Sequence, residues 1–283
     1  MKLELVDSLS LPGNAEKAND DSFAYREGAA IVLDGATGLG DSLMPGLSDA
    51  AWLSRFGANR IMSYLGDGAT PQEAVTAALF DAQTSFEQLR RREPADRYEI
   101  PFASMMLAVA DESAIDFLWY GDCAAIVQHA DGRVEIVGEA IEKRANEARQ
   151  AKKLAESKGV PVASTSSRAE FLPALRKGRN RVNTPEGTYL FGPEVIAADH
   201  TDSQRLDIAP GAHVLLVSDG FLALVSDYGR YDLGGLVEAA KTTGLPTLMQ
   251  ELRDIEDKDP DGGQFPRFKK SDDATAVLVK VTR

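Results

Sequence analysis

The sequence predicts an α+β fold, and three observations carry that reading. Apolar runs of strand length recur along the whole chain, three of them in direct succession between residues 102 and 129. Capped segments with helical spacing separate groups of these runs. Neither an internal repeat nor a linker-like stretch divides the 283 residues, so residues 1–283 are read as one domain, with a surface helix and a flap-like insertion around 139–188.

Taken in order, residues 3–11 alternate loosely as a first strand, and Pro12-Gly13-Asn14 turns the chain. Residues 23–26 and the run Ala29-Ala30-Ile31-Val32-Leu33 form a hairpin that brings Asp20 and Asp34 to the same end. That run stops at Asp34 and a loop with three glycines follows, so Asp34 is expected at a strand end facing solvent. Ser48-Asp49 caps a helix over 50–65, with Trp52, Leu53, Phe56 and Ile61 toward its apolar side. Thr70-Pro71-Gln72-Glu73 is a capping box with proline at the first helical position, opening a second helix that ends near Arg92. Strands follow at 102–110, 115–120 and 123–129, and Asp131-Gly132 turns the chain into another at 134–137. Residues 139–158, dominated by Glu, Lys, Arg and Ala, read as an amphipathic surface helix. Residues 159–188 carry Arg168, Arg176, Lys177, Arg179 and Arg181 among Ser, Pro and Gly, and read as a lid or flap that guides substrate. Strands at 188–191 and 213–218, one or two helices within 233–256 and a last strand at 274–281 complete the chain.

The formal charge of -13 argues against nucleic-acid binding, because a phosphate backbone would be repelled. No segment has the length and apolarity to span a bilayer or serve as a signal peptide. Cys123 stands alone, so no internal disulfide forms, and it reads as a small buried residue. A cytoplasmic protein is expected. His129, His200 and His213 form no metal-binding pair and read as surface or loop residues.

Acidic positions adjoin five strand-like runs: Asp20-Asp21, Asp34-Gly35, Gly121-Asp122, Asp219-Gly220 and Asp272-Asp273. One such pair is usually a turn; five point to a multi-carboxylate site for Mg²⁺ or Mn²⁺, whose preference for hard oxygen ligands they match. Two competing motifs are weaker. Gly35 to Ser42 has the spacing of a phosphate-binding P-loop, but Asp41 replaces its lysine. Asp257 to Gly262 resembles the start of an EF-hand loop, but Phe268 stands where the bidentate glutamate belongs, and a solvated acidic loop is the better reading.

Taken together the motifs resemble the metal-dependent serine/threonine protein phosphatases of type 2C. Asn19-Asp20-Asp21 is similar to the family's Asn-Glu-Asp, Val32-Leu33-Asp34-Gly35 to Val-x-Asp-Gly, and Gly121-Asp122-Cys123 to Gly-Asp-Ser. Leu216 to Gly220 resembles Leu-x-Ser-Asp-Gly, and Asp272-Asp273-Ala274-Thr275 the final Asp-Asn-x-Thr. The resemblance implies a four-layer α-β-β-α sandwich of two antiparallel sheets flanked by helices, with the metal site at one edge. It implies that Asp34 bridges two Mn²⁺ or Mg²⁺ ions with help from the Gly35 carbonyl. Asp219 and Asp272 would then hold the first ion, and Asp20 would support the second, directly or through water. Asp34 and Asp219 thereby count as catalytic, since the shared metal-bound water would attack phosphorus in line on a phosphorylated protein, without a phosphoenzyme.

Departures from the family follow from single residues. Glu16 occupies the place of a phosphate-gripping arginine, leaving Lys17 as a candidate catalytic substitute. Ala36 stands where animal members carry a histidine acid. Asp122 is a candidate for a third, weak metal site, because Ala223 replaces the aspartate expected four residues after Asp219. Glu16 and Ala36 also motivate an alternative: a catalytically weak phosphatase-like domain that binds a phosphorylated partner or signal.

Overall fold

The computed structural model describes residues 1–141, 165–267 and 269–283, and of 165–170 the backbone alone. Among these residues ten strands form two five-stranded antiparallel sheets. The first runs β1 (Lys2–Leu11), β10 (Ala274–Thr282), β9 (His213–Val217), β6 (Ala124–Gln128), β7 (Val134–Val137). The second runs β2 (Ser22–Arg26), β3 (Ala29–Gly35), β4 (Ala103–Ala110), β5 (Ala114–Tyr120), β8 (Asp202–Asp207).

The unbroken apolar run of β3 follows from its place in the layers. Alternate side chains leave a strand on opposite faces, and here both faces are covered. Ala30 and Val32 pack between the sheets with Met106, Phe117, Val214 and Val277. Ile31 and Leu33 pack outward against Leu53 and Ile61 of α1 (Asp49–Gly66) and Val75 and Leu79 of α2 (Pro71–Leu89). Each large aliphatic buried this way contributes roughly 1.5–3 kcal/mol. The other sheet is covered by α4 (Asp219–Ser226), α5 (Leu233–Thr243) and α6 (Leu245–Lys258), whose Phe221, Leu236 and Leu248 pack on Ile126, Leu215 and Leu278. The order is therefore α-β-β-α, as the resemblance implies. A further helix, α3 (Thr165–Arg179), lies beside a 3-10 turn at Arg97–Glu99, where the Tyr98 amide donates to Asn180 Oδ1 at 2.6 Å.

Several boundaries differ from the sequence reading. Residues 188–191 make no strand: Asn183, at φ 55°, donates to the Thr188 carbonyl and accepts from the Leu190 amide, leaving only Phe191 to bridge to Ala103. Helix α2 stops at Leu89 because Arg90 turns extended and the Arg91 amide donates to Leu43. β8, α3 and α4 went unread in the sequence; α3 lies within the part of 159–188, read as a flap, that the described residues cover. His129 is buried beside Glu135 rather than exposed. The surface helix expected over 139–158 falls, beyond Ile141, outside the described residues. Among those residues no helix is long and apolar enough to cross a membrane.

Candidate metal centre

Strand registers bring the acidic segments to one end of the sandwich. The end of β3 meets the start of β4 (Gly35 opposite Ala103), and the start of β4 meets the end of β5 (Met105 opposite Tyr120). In the facing sheet Val217, the last residue of β9, lies opposite both Ala124 at the start of β6 and Ala276 near the start of β10. Asp34, Asp122, Asp219 and Asp272 therefore emerge together. Two glycines allow the close approach. A Cβ on Gly35 would lie 2.5 Å from the Asp20 carbonyl, and one on Gly220 would collide with the Asp273 carbonyl.

The β2–β3 hairpin decides which member of the Asp20-Asp21 pair faces Asp34. Ser22 pairs with Leu33, so the next pair inward is Asp21 with Asp34, and the one after is Asp20 with Gly35, where the Gly35 amide donates to the Asp20 carbonyl at 3.2 Å. Directly opposed residues share a face of the sheet. The carboxylate beside Asp34 is thus Asp21, a residue that the sequence reading passed over in favour of its neighbour. Asp20 turns its side chain to the hydroxyl of Ser48, the capping residue of α1, with Asp273, Lys269 and Asp272 as its charged neighbours. Burial, against the Ser48 bond and with repulsion from Asp273, raises its pKa.

Asp21 is 3% exposed, and neither of its carboxylate oxygens has a partner in hydrogen-bond geometry. Burial holds its pKa well above the carboxylate range; the nearby Ser218 and Thr275 hydroxyls offset part of this, and Asp272 and Asp273 add to it. Asp34 keeps an edge open to solvent, yet burial and then repulsion from Asp21, Asp219, Asp122 and Asp272 raise its pKa strongly. Asp34 thus sits in the field of four other carboxylates. Among the described residues no three of these side chains are already drawn into a coordination shell; they share a field rather than a common point, as like charges do.

Around the cluster the backbone is pinned. Asp273 accepts from the amides of Gly13 at 2.8 Å and Asp20 at 2.6 Å, tying the amino-terminal segment to the last loop. Arg253 of α6 donates to the Asp272 carbonyl at 2.9 Å, and Ser104, opposite Asp34 on β4, donates to Asp122 at 2.5 Å. Lys269 donates to Asp272 Oδ1 at 2.7 Å and to Thr37 Oγ1 at 3.1 Å. Burial works against its charge, but Asp272, Asp34 and Asp219 outweigh it and raise its pKa. Lys17 lies exposed in a turn, its backbone amide donating to Asn14. Cys123 is fully buried, and burial followed by the field of Asp34 pushes its thiol pKa well up, so it offers no nucleophile.

The competing motifs dissolve in the structure. The Gly35 and Ala36 amides donate to the Asp20 and Phe102 carbonyls, so the glycine loop does not open with free amides for a phosphate. Asp259 accepts from the Gly263, Gln264 and Phe265 amides and from Arg267, which makes it the hub of a turn rather than a calcium ligand.

Buried carboxylate oxygens without a partner in hydrogen-bond geometry, beside further carboxylates that repel one another, fit hard divalent cations. A family model described as protein phosphatase 2C matches residues 14–254, and the chain belongs to that family. Solved structures agree on the fold. The serine/threonine phosphatase PstP/Ppp of Mycobacterium tuberculosis is 15% identical over 100% of both chains, with a TM-score of 0.60. Stp1 of Staphylococcus aureus is 14% identical over 100% of this chain and 98% of its own, with a TM-score of 0.57. The catalytic domain of PstP, solved with 2 manganese ions, is 15% identical over 100% of this chain and 99% of its own, at 0.57. Among curated proteins none matches.

Proposed function

We propose that residues 1–283 act as one catalytic unit that hydrolyses phosphoserine and phosphothreonine on proteins with two Mn²⁺ or Mg²⁺ ions. The observation that carries this reading is the placement of Asp34, at the end of β3, in the shared field of Asp21, Asp219, Asp122 and Asp272, with both oxygens of Asp21 buried and without a partner in hydrogen-bond geometry. Asp34, assisted by the Gly35 carbonyl, would hold the ions together with Asp219, Asp272, Asp20 and Asp21. Asp122, held by Ser104, is the candidate for a weak third. Bound there, the ions would lower the pKa of a water and offset charge on the phosphoryl group.

The chain's own residues set the rest. Ser48 orients Asp20, Asp273 fixes the backbone that carries Asp20, and Arg253 fixes the backbone that carries Asp272. Ala36 offers no proton to the leaving alcohol, so solvent at the open edge of Asp34 would supply it. The alternative, a binding domain without turnover, is weakened by the retention of Asp34, Asp219 and Asp272.

The experiment is hydrolysis of an aryl phosphate and a phosphoserine peptide by the full chain with Mn²⁺. The proposal expects Asp34→Asn and Asp219→Asn each to remove all but about 1% of the rate, and chelator to do the same. Turnover indifferent to chelator and to both substitutions overturns the metal mechanism. Tight Mn²⁺ binding without turnover on either substrate supports the binding-domain reading instead.

A further inference from the structure

The carboxylate cluster is almost wholly negative, and a phosphoryl dianion approaching it would be repelled unless cations stand beside the carboxylates. In a chain of charge -13, three cations nevertheless converge on one short loop, the one that follows Asp34-Gly35. Arg176 donates to the Leu39 carbonyl at 2.9 Å while its guanidinium lies 4.4 Å from the Tyr98 ring centroid. Arg179 reaches the Thr37 carbonyl at 3.5 Å, and Lys269 donates to the Thr37 hydroxyl. Arg176 and Arg179 come from the end of α3, and Lys269 from the loop before β10.

We infer that Lys269 and Arg179 form an anion clamp across Thr37 that receives the phosphoryl group of the substrate, doing the work that Glu16 cannot. The inference rests on the phosphatase reading for the identity of its ligand. Three features support it. Lys269 has three N–H donors and, among the described residues, spends two, on Asp272 and Thr37, so one is left for a further acceptor. Arg179 has five donors and makes a single long bond among the described residues, although burial already pulls its pKa down to about 10. A half-buried guanidinium with a spare fork is suited to two oxygens of one tetrahedral anion. Finally, Lys269 binds Asp272 directly, so an anion held by it would lie against the carboxylates rather than at a remote surface. Lys17, in its exposed turn, makes no such link.

The test compares Lys269→Gln, Arg179→Gln, Lys269→Arg and Lys17→Gln in the full chain loaded with Mn²⁺. Inhibition by inorganic phosphate, KM and kcat for an aryl phosphate, Mn²⁺ affinity by calorimetry and the melting temperature are measured for each. The clamp predicts that each glutamine variant at 269 or 179 weakens phosphate inhibition and raises KM by about ten-fold or more, the size of one charge-assisted hydrogen bond. Mn²⁺ affinity stays close to that of the wild type, Lys269→Arg recovers most of the loss, and Lys17→Gln moves both constants less than either glutamine variant does. Unaltered phosphate inhibition in both glutamine variants overturns the proposal. So does a parallel loss of Mn²⁺ affinity, which would make Lys269 only a prop for Asp272, or a loss seen in Lys17→Gln alone. If a glutamine variant fails to fold, Lys269→Met and Arg179→Met, which keep an apolar stem of similar length without the donors, carry the same comparison. A wild type that binds phosphate but hydrolyses nothing sinks the phosphatase reading, and loss of that binding in the 269 and 179 variants would still support the clamp.

Discussion

Replacing Asp21 with asparagine should have opposite effects on stability in the absence and presence of metal. Asp21 stands directly across β2–β3 from Asp34, a position where facing Cβ atoms lie about 5 Å apart. Two unit charges at about that distance, with an effective dielectric constant of about 20, repel by about 3 kcal/mol. Asparagine removes the repulsion and can donate a hydrogen bond to Asp34. In chelator at pH 8.5 the variant should therefore be more stable by up to about 3 kcal/mol, raising Tm by up to roughly 6 °C. With saturating Mn²⁺ the order should reverse, because the charge that would support the cation is gone. Both carboxyls have folded pKa values raised well above 3.8, so between those values the folded chain binds more protons than the unfolded one. Metal-free stability then falls as pH rises from about 4 through the folded pKa values. Asp21→Asn should flatten that decline, so its advantage shrinks toward pH 4.5. Melts followed by circular dichroism, with chelator or Mn²⁺ at both pH values, decide the matter. A variant less stable than wild type in chelator at pH 8.5 would refute the reasoning and make Asp21 an ordinary structural acceptor.

Two further outcomes follow from the packing. Gly220→Ala places a Cβ against the Asp273 carbonyl and should force α4 away from the last loop, lowering Mn²⁺ affinity at least ten-fold by calorimetry while far-UV circular dichroism stays native. Asp259→Ala removes the acceptor of three amides and Arg267 and should cost about 1–3 kcal/mol at pH 7 in urea unfolding. Because those bonds outweigh burial and hold the Asp259 pKa down to about 2, that contribution is present above pH 3.8 and is lost as pH falls through about 2, where variant and wild type should converge.

Most of the architecture was legible because burial writes itself into the sequence. β3 read as one apolar run since both of its faces are covered, and the capping box of Thr70 and Glu73 announced α2. What stayed hidden lacked such a signal. β8 is a polar, mostly exposed edge strand whose only partner among the described residues is β5, so its side chains carry no alternation. α4 is eight residues long, has no capping side-chain bond and starts on the acidic residue itself, which masks it as a strand end.

In the site, five acidic segments at strand ends were enough to expect a shared centre, but adjacent aspartates concealed which one faces Asp34. The register needed for that was present in Glu27-Gly28, a two-residue hairpin turn with Gly28 at φ 88°, from which counting back pairs Asp21 with Asp34. Lys269 could not be found in this way. Its contact with Thr37 joins residues 232 apart, and only the tertiary fold brings them together.

Whether these carboxylates hold cations is decided by calorimetric titration of Mn²⁺ into the chelator-stripped full chain, with hydrolysis of a phosphoserine peptide measured along the same titration. The account predicts two strong equivalents per chain, hydrolysis rising with their occupancy, and loss of both in Asp34→Asn. Binding of Mn²⁺ that survives Asp34→Asn unchanged, or hydrolysis that precedes metal occupancy, would contradict it.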